Sequence, residues 1–475
     1  MNEIPCYEIY EHVLAGPAAG NPFLEIKLSA NFSHNDRQVK IGGFYDGEGI
    51  YRIRFMPDEL GVWEFTTESN IPEMDRLSGE IKCIPALPGF HGPVYVIDKF
   101  HFAYADGTPY HQVGTTCYAW VHQEDALVEQ TLLTLAASPF NKLRMCIFPK
   151  DYTYNRNEPQ IFPYEHLDDD NWDFTRFNPK FWHHLEKRIA QLGKLGIEAD
   201  LILFHPYDRW GFSRMIPEMD DHYLRYAVNR LAPFHNVWWS LANEYDLMET
   251  KQLADWDRFF KYLQDHDPFQ HLRSIHNCHG FYDHSQSWVT HCSIQHWDVN
   301  RVAEWRSTYG KPVIVDECGY EGNIPEGWGN FSPQEHVRRF WVGTARGGYV
   351  GHGETYLHPE DILWWSKGGV LHGESPPRLD FLRRILEDTP AGLEPTTEWA
   401  YLAARCGDDL FINYLETHQP CRFKFTLPGE SKYKIDVLDT WEMTETPISG
   451  VFQHQVDIEL PGKPWLAVRM HKVHS

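Results

Sequence analysis

Apolar and polar positions change rhythm twice along this chain, which divides it into three stretches. The first ninety or so residues alternate. Phe23-Leu-Glu-Ile-Lys-Leu-Ser-Ala30 does so, Gln38-Val-Lys-Ile-Gly-Gly43 ends at glycines, and Ile50-Tyr-Arg-Ile-Arg-Phe55 repeats the pattern. Met56-Pro-Asp-Glu-Leu-Gly61 then turns into Val62-Trp-Glu-Phe-Thr-Thr67. A period of two, punctuated by Gly, Pro and Asp, marks short half-buried strands and predicts a β-sandwich over residues 1–92. It ends in a Pro/Gly-rich linker, Pro85–Pro93.

From 93 to 388 short apolar runs alternate with amphipathic helical patterns. The runs are Tyr110–Thr115, Asn141–Phe148, Glu198–Phe204, Val237–Ala242, Arg273–His276, Val289–Gln295, Pro312–Asp316 and Tyr349–His352. Between them lie helical stretches such as Phe181–Leu195, His222–Pro233, Thr250–Asp265 and Pro333–Ala345. Eight strands alternating with helices over this length predict a (β/α)8 TIM barrel of the α/β class. Residues 389–475 return to alternation (Phe411–Tyr414, Tyr433–Val437, Val456–Leu460), which predicts a second, C-terminal β-sandwich.

Composition narrows the function. With 43 Lys+Arg against 67 Asp+Glu the net charge is −24, which disfavours phosphate backbones and anionic lipid surfaces; neither nucleic acid nor membrane is an expected partner. No apolar run is long enough to span a bilayer, and the acidic start lacks a basic stretch followed by an apolar one, so no secretory signal is expected. Nine cysteines are scattered singly without a Cys-x-x-Cys pair, mostly inside apolar runs, which reads as reduced thiols and a cytoplasmic home. The 18 Trp, 24 Tyr and 28 Phe exceed what packing needs and suit a cleft for flat ligands such as sugar rings.

In such barrels the chemistry sits where strands end at their C-terminal side. The fourth run ends Asn243-Glu244-Tyr245 and the seventh Asp316-Glu317-Cys318. Two carboxylates facing each other across the barrel mouth can cleave a glycosidic bond, one protonating the leaving oxygen and the other attacking the anomeric carbon. Asp316 competes with Glu317 but precedes the strand-end position.

This arrangement resembles clan A of the glycoside hydrolases, in particular its family-5-like barrels. The sandwich–barrel–sandwich layout also resembles a bacterial group of glycosidases with an N-terminal β-domain and a C-terminal domain of unknown function. Gly61-Val-Trp-Glu-Phe65, His352-Gly-Glu-Thr-Tyr356 and Trp364-Trp-Ser-Lys-Gly-Gly369 carry that second likeness. The resemblance implies a retaining β-glycosidase acting on small oligosaccharides or glycosides, with Glu244 as acid/base and Glu317 as nucleophile. Asn243 would then bind the sugar 2-hydroxyl, and Arg144 would hold Glu317 ionised while Glu244 stays protonated. Retention implies carboxyl groups about 5–5.5 Å apart, and a separation above roughly 9 Å would sink the assignment.

Two positions depart from the clan's pattern. Tyr245 stands where many members have Pro, and the sixth strand ends Ser293-Ile-Gln295-His296-Trp297 without the Tyr that often supports the nucleophile. His296 or Tyr320 is expected in that place. Further substrate contacts are expected from His205, His276, His279 and Glu354, with Trp120 and Trp364 stacking on sugar faces.

Neither His276-Asn-Cys278-His279 nor His352-Gly-Glu354 has the spacing a zinc site requires, and no dinucleotide or phosphate loop occurs, so no metal and no cofactor are expected. The competing readings are a non-catalytic carbohydrate-binding protein on a degenerate barrel and a metal-dependent barrel hydrolase. Retention of both carboxylates and the Arg argues for an enzyme. The flanking sandwiches are expected to wall the barrel or to mediate homo-oligomerisation.

Overall fold

The computed structural model describes residues 2–168, 171–389, 392–397 and 399–473. Its N-terminal part is a seven-stranded sheet folded over on itself. The fold-over occurs within one strand, Arg37–Tyr45, which pairs with Leu28–His34 in its first half and with Ile50–Phe55 in its second. The switch falls at Gly42-Gly43, where a Cβ would strike Asn229 or Leu28. The two layers meet through aromatic rings, Phe32 stacking on Phe55 at 4.2 Å. One expectation fails here. Phe23–Glu25 is not strand but part of a helical turn, Pro22–Glu25, started by proline, and the strand begins at Leu28.

The centre is a closed barrel of eight parallel strands. They are β1 (Gly114–Thr116), β2 (Lys142–Cys146), β3 (Glu198–Phe204), β4 (Val237–Ala242), β5 (Arg273–Ser274), β6 (Cys292–Gln295), β7 (Val313–Glu317) and β8 (Tyr349–His352). A parallel bridge between His276 and Ser293 joins β5 to β6 and closes the ring. Its outer helices are α1 (Asp125–Ala136), α2 (Pro179–Lys194), α3 (Pro217–Leu231), α4 (Leu253–His266), α5 (Val302–Tyr309), α6 (Pro333–Ala345) and α7 (Ser375–Glu387). The β5–β6 connection has no helix, and its irregular backbone brings Cys278 and His279 to the barrel mouth. At the opposite mouth a hairpin, Val94–Ile97 with His101–Tyr104, plugs the barrel, Phe102 packing on Trp238 and Tyr349.

The C-terminal part is a six-stranded sheet covered on one face by a two-stranded one, Arg422–Thr426 with Gln455–Glu459. Phe411, Phe423, Tyr433, Ile435 and Val468 share the core between the layers. The other face of the larger sheet lies on the barrel, where Tyr414 stacks on Trp341 of α6. The fold is therefore the TIM barrel between two β-sandwich domains that the rhythm of the chain predicts.

Candidate active site

Alternation within β2 points Lys142, Arg144 and Cys146 into the barrel and Leu143 and Met145 toward the helices. Low in the barrel, Lys142 is locked between Asp200 (2.9 Å) and Asp316 (2.8 Å), and Ser293 donates to Asp316 at 2.6 Å. Burial works to raise the Asp316 carboxyl, but Lys142 and Arg144 overcome it and hold it below the usual range. Asp316 is thus a buried counterion. Between β6 and β7 the register shifts, Ser293 facing Ile314 but Gln295 facing Glu317. The extra residue on β7 is a bulge, the device that re-aims a side chain, and Glu317 lines the cleft above Asp316.

Glu244 reaches the same space by a backbone strain of its own. It takes the left-handed conformation (φ 52°, ψ 55°) just past β4, disfavoured for a residue with a Cβ. The cleft is about 890 Å³. Tyr207 donates its hydroxyl to Glu244, and Tyr118 donates to Glu317. The Gln295 amide, its nitrogen turned to the carboxylates, donates to Glu244 Oε1 at 3.1 Å and Glu317 Oε2 at 3.2 Å. One amide nitrogen within reach of both means that the two carboxylates face one space, well under the roughly 9 Å that would sink the assignment.

Arg144 is fully buried, its Nη1 3.5 Å from Glu317 Oε1 and 3.3 Å from the Tyr118 hydroxyl, its Nη2 3.5 Å from Asn243 and its Nε 3.7 Å from Asp200. Despite that charge, and against expectation, Glu317 is not held in the ordinary carboxylate range. Burial pushes the Glu317 carboxyl up to about 8, with the neighbouring Tyr320 hydroxyl drawing it down. His276 is buried 3.8 Å from Glu317, and burial drives its pKa far below the ordinary histidine value, so it stays neutral.

Of the residues singled out from the sequence, Glu244, Glu317, Asn243, His279, His296 and Tyr320 line this cleft. Arg144 lies beneath it. The structure corrects the others. The His205 ring is bonded to the Phe148 carbonyl at 3.1 Å, and Trp120 is a core residue bonded to the Val128 carbonyl at 3.2 Å. Trp364 points away and donates to Thr115 at 2.8 Å. Glu354 accepts the backbone N–H of His372 (2.5 Å) and Gly373 (2.8 Å) just before α7, and burial lifts its pKa to about 7. For the first three a neighbour does the reaching. Tyr118, Tyr207 and Trp365 line the cleft from the same segments, one or two residues along.

The sixth-strand expectation shifts likewise. His296 turns its Nδ1 to the Asp298 backbone N–H at 3.0 Å, whereas Tyr320, the other residue expected there, does act on Glu317. Gln295 reaches both carboxylates, and Tyr118, two residues past β1, bonds Glu317. The signal for Gln295 was its position as strand-end neighbour of Glu317. Nothing in the sequence separated Tyr118 from the other 23 tyrosines. Among the described residues, no three His, Cys, Asp or Glu are grouped to hold a metal ion.

A family model for an apiosidase-like catalytic domain matches residues 98–370. Two domains of unknown function, DUF5060 and DUF5605, match 3–70 and 399–471. A crystallised Bacteroides vulgatus ATCC 8482 protein assigned as a glycoside hydrolase is 38% identical over 100% of both chains, with a TM-score of 0.95. A family 5 glycoside hydrolase of the same organism shares the fold at 14% identity, covering 81% of this chain and 94% of its own, with a TM-score of 0.61. No curated protein matches the sequence. Fold and matches together put the molecule among the TIM-barrel glycoside hydrolases. Within them, the chain belongs to the apiosidase-like family.

Proposed function

We propose that this glycoside hydrolase is a retaining β-glycosidase working by double displacement on small oligosaccharides or glycosides. Glu317 attacks the anomeric carbon while Glu244 gives its proton to the departing glycosidic oxygen. Water, deprotonated by Glu244, then breaks the glycosyl–Glu317 ester and returns the proton. Asn243 holds the 2-hydroxyl, and Trp365 offers a stacking face. The observation that carries the reading is the Gln295 amide within bonding distance of an oxygen of each carboxylate, so that Glu244 and Glu317 face one substrate space. The family's name adds an apioside to the substrates worth trying. Nine unbridged cysteines suit a reducing, cytoplasmic compartment.

The test is a panel of aryl α- and β-glycosides, apioside included, with wild type and Glu317→Ala. One β-glycoside turned over by wild type, dead in the variant, and converted to an inverted glycosyl azide when azide is added supports the class and the nucleophile together. Inverted sugar as the wild-type product would overturn retention. Failure of wild type on the whole panel and on oligosaccharides would favour a carbohydrate-binding protein.

A further inference from the structure

Lys150, just beyond β2, is 2% exposed, yet it lines the cleft. Its ammonium sits over four aromatic rings, at 3.6 Å from the centroid of Tyr118, 4.4 Å from Tyr207, 4.7 Å from Tyr152 and 5.7 Å from Trp365. Two of these tyrosines are the ones that donate to Glu317 and Glu244. Among the described residues no carboxylate comes within ion-pair reach of Lys150, and its ammonium makes no hydrogen bond. Three other buried cations are treated differently. Lys142 has Asp200 and Asp316, Lys251 has Asp220, and Arg230 has Asp46 and Glu186.

A desolvated ammonium keeps three N–H donors that the π faces attract but do not saturate. Such a group costs free energy in the empty protein unless something arriving in the cleft accepts from it. The rings and the ammonium line the same cleft, where the sugar would lie.

We infer that Lys150 is a substrate-binding residue that donates to an oxygen on the sugar seated between Glu244 and Glu317. This rests on the glycosidase reading. The acceptor is a hydroxyl or a carboxylate; a carboxylate would also neutralise the charge and would make the natural substrate a uronic acid. Burial lowers the Lys150 pKa to about 8, with Cys146 and Glu244 opposing, so the ammonium persists at neutral pH.

Lys150→Met keeps the stem and the aromatic cage but removes the donors. Its kinetics are measured on matched neutral and uronic 4-nitrophenyl β-glycosides, and its melting temperature is compared with those of wild type and Lys142→Met. We expect KM to rise roughly ten- to hundredfold, the loss of a hydrogen bond to a charged group, with a much smaller change in kcat. The melting temperature should stay or rise, because the charge removed has no partner, whereas Lys142→Met should fall sharply by orphaning two buried carboxylates. A penalty confined to the uronic arm names a carboxylate as acceptor, and one shared by both arms names a hydroxyl. An active wild type with unchanged KM in the variant, or a melting temperature that drops as it does for Lys142→Met, overturns the inference. A wild type inert on every glycoside instead sinks the glycosidase reading on which it stands.

Discussion

Two clusters of buried charge in this molecule are opposites. Where the N-terminal sandwich docks on α2 and α3, Arg230 bonds Asp46 (2.7 Å) and Glu186 (2.6 Å), and Arg54 bonds Glu186 (2.6 Å) and Glu11 (2.7 Å). Arg52 adds a bond to Asp46 at 2.5 Å. Burial alone would raise Asp46 and Glu186, but the guanidiniums override it and lower both. In the cleft the balance runs the other way. Burial wins at Glu317, pushed up, and at Lys150, pushed down. A network whose charges are paired joins domains, whereas one with unpaired charge keeps donors available to a ligand. The difference lies in what each charge faces, not in how deeply it is buried.

The largest effect expected is on turnover. Glu317→Gln should cost on the order of 10⁴-fold in kcat, as losing a covalent nucleophile does, while the purified variant still folds. Stopped assays on whichever glycoside wild type cleaves will read it. A loss below tenfold would remove Glu317 from the nucleophile's role.

At the interface, Glu186→Ala strips Arg54 and Arg230 of a shared partner, and should destabilise by roughly 3–5 kcal/mol in denaturant melts. A loss under about 1 kcal/mol would mean that the cluster behaves like surface pairs and that the contrast fails.

Tyr118→Phe and Tyr207→Phe each remove one hydroxyl bonded to a cleft carboxylate. Each should lower kcat/KM by about ten- to hundredfold through a lost charge-assisted bond, with little change in melting temperature.

The smallest effect is a sign difference with pH. Glu317 has a folded pKa near 8, above its ordinary value of 4.5. Its contribution to stability is complete at acid pH and is lost as pH rises toward and past 8. Glu317→Gln, always neutral, should therefore gain on wild type in melting temperature between pH 5 and pH 9. The lowered Asp46 and Glu186 contribute above their unfolded values and fail only as pH falls through their folded ones, so the cost of Glu186→Gln should be level over that range and shrink in acid. A flat Glu317→Gln difference would break the contrast at its electrostatic root. The same shift predicts an acid limb of kcat/KM above the ordinary carboxylate range, since the nucleophile must ionise.

Local pattern was enough to read the architecture. Four barrel elements, Glu198–Phe204, Val237–Ala242, Pro333–Ala345 and Tyr349–His352, have the ends that the apolar rhythm marks. Period-two and 3.6-residue patterns are properties of neighbouring residues, and each barrel strand must bury what the pattern makes apolar. Strand-end position likewise singled out Asn243, Glu244 and Glu317 without any contact being known.

Which side chain of a segment enters the cleft was settled only by tertiary structure. A bulge at β7 separates Glu317 from Asp316, and a left-handed residue aims Glu244. One or two residues of local rotation put Tyr118, Tyr207 and Trp365 in the cleft where Trp120, His205 and Trp364 were expected. The raised pKa of Glu317 was equally out of reach of the sequence, because it depends on the burial that closure of the barrel imposes. Composition and rhythm therefore determine that a barrel with facing carboxylates forms; side-chain direction and desolvation, which exist only once the strands close, decide which groups meet the substrate and in what state of charge.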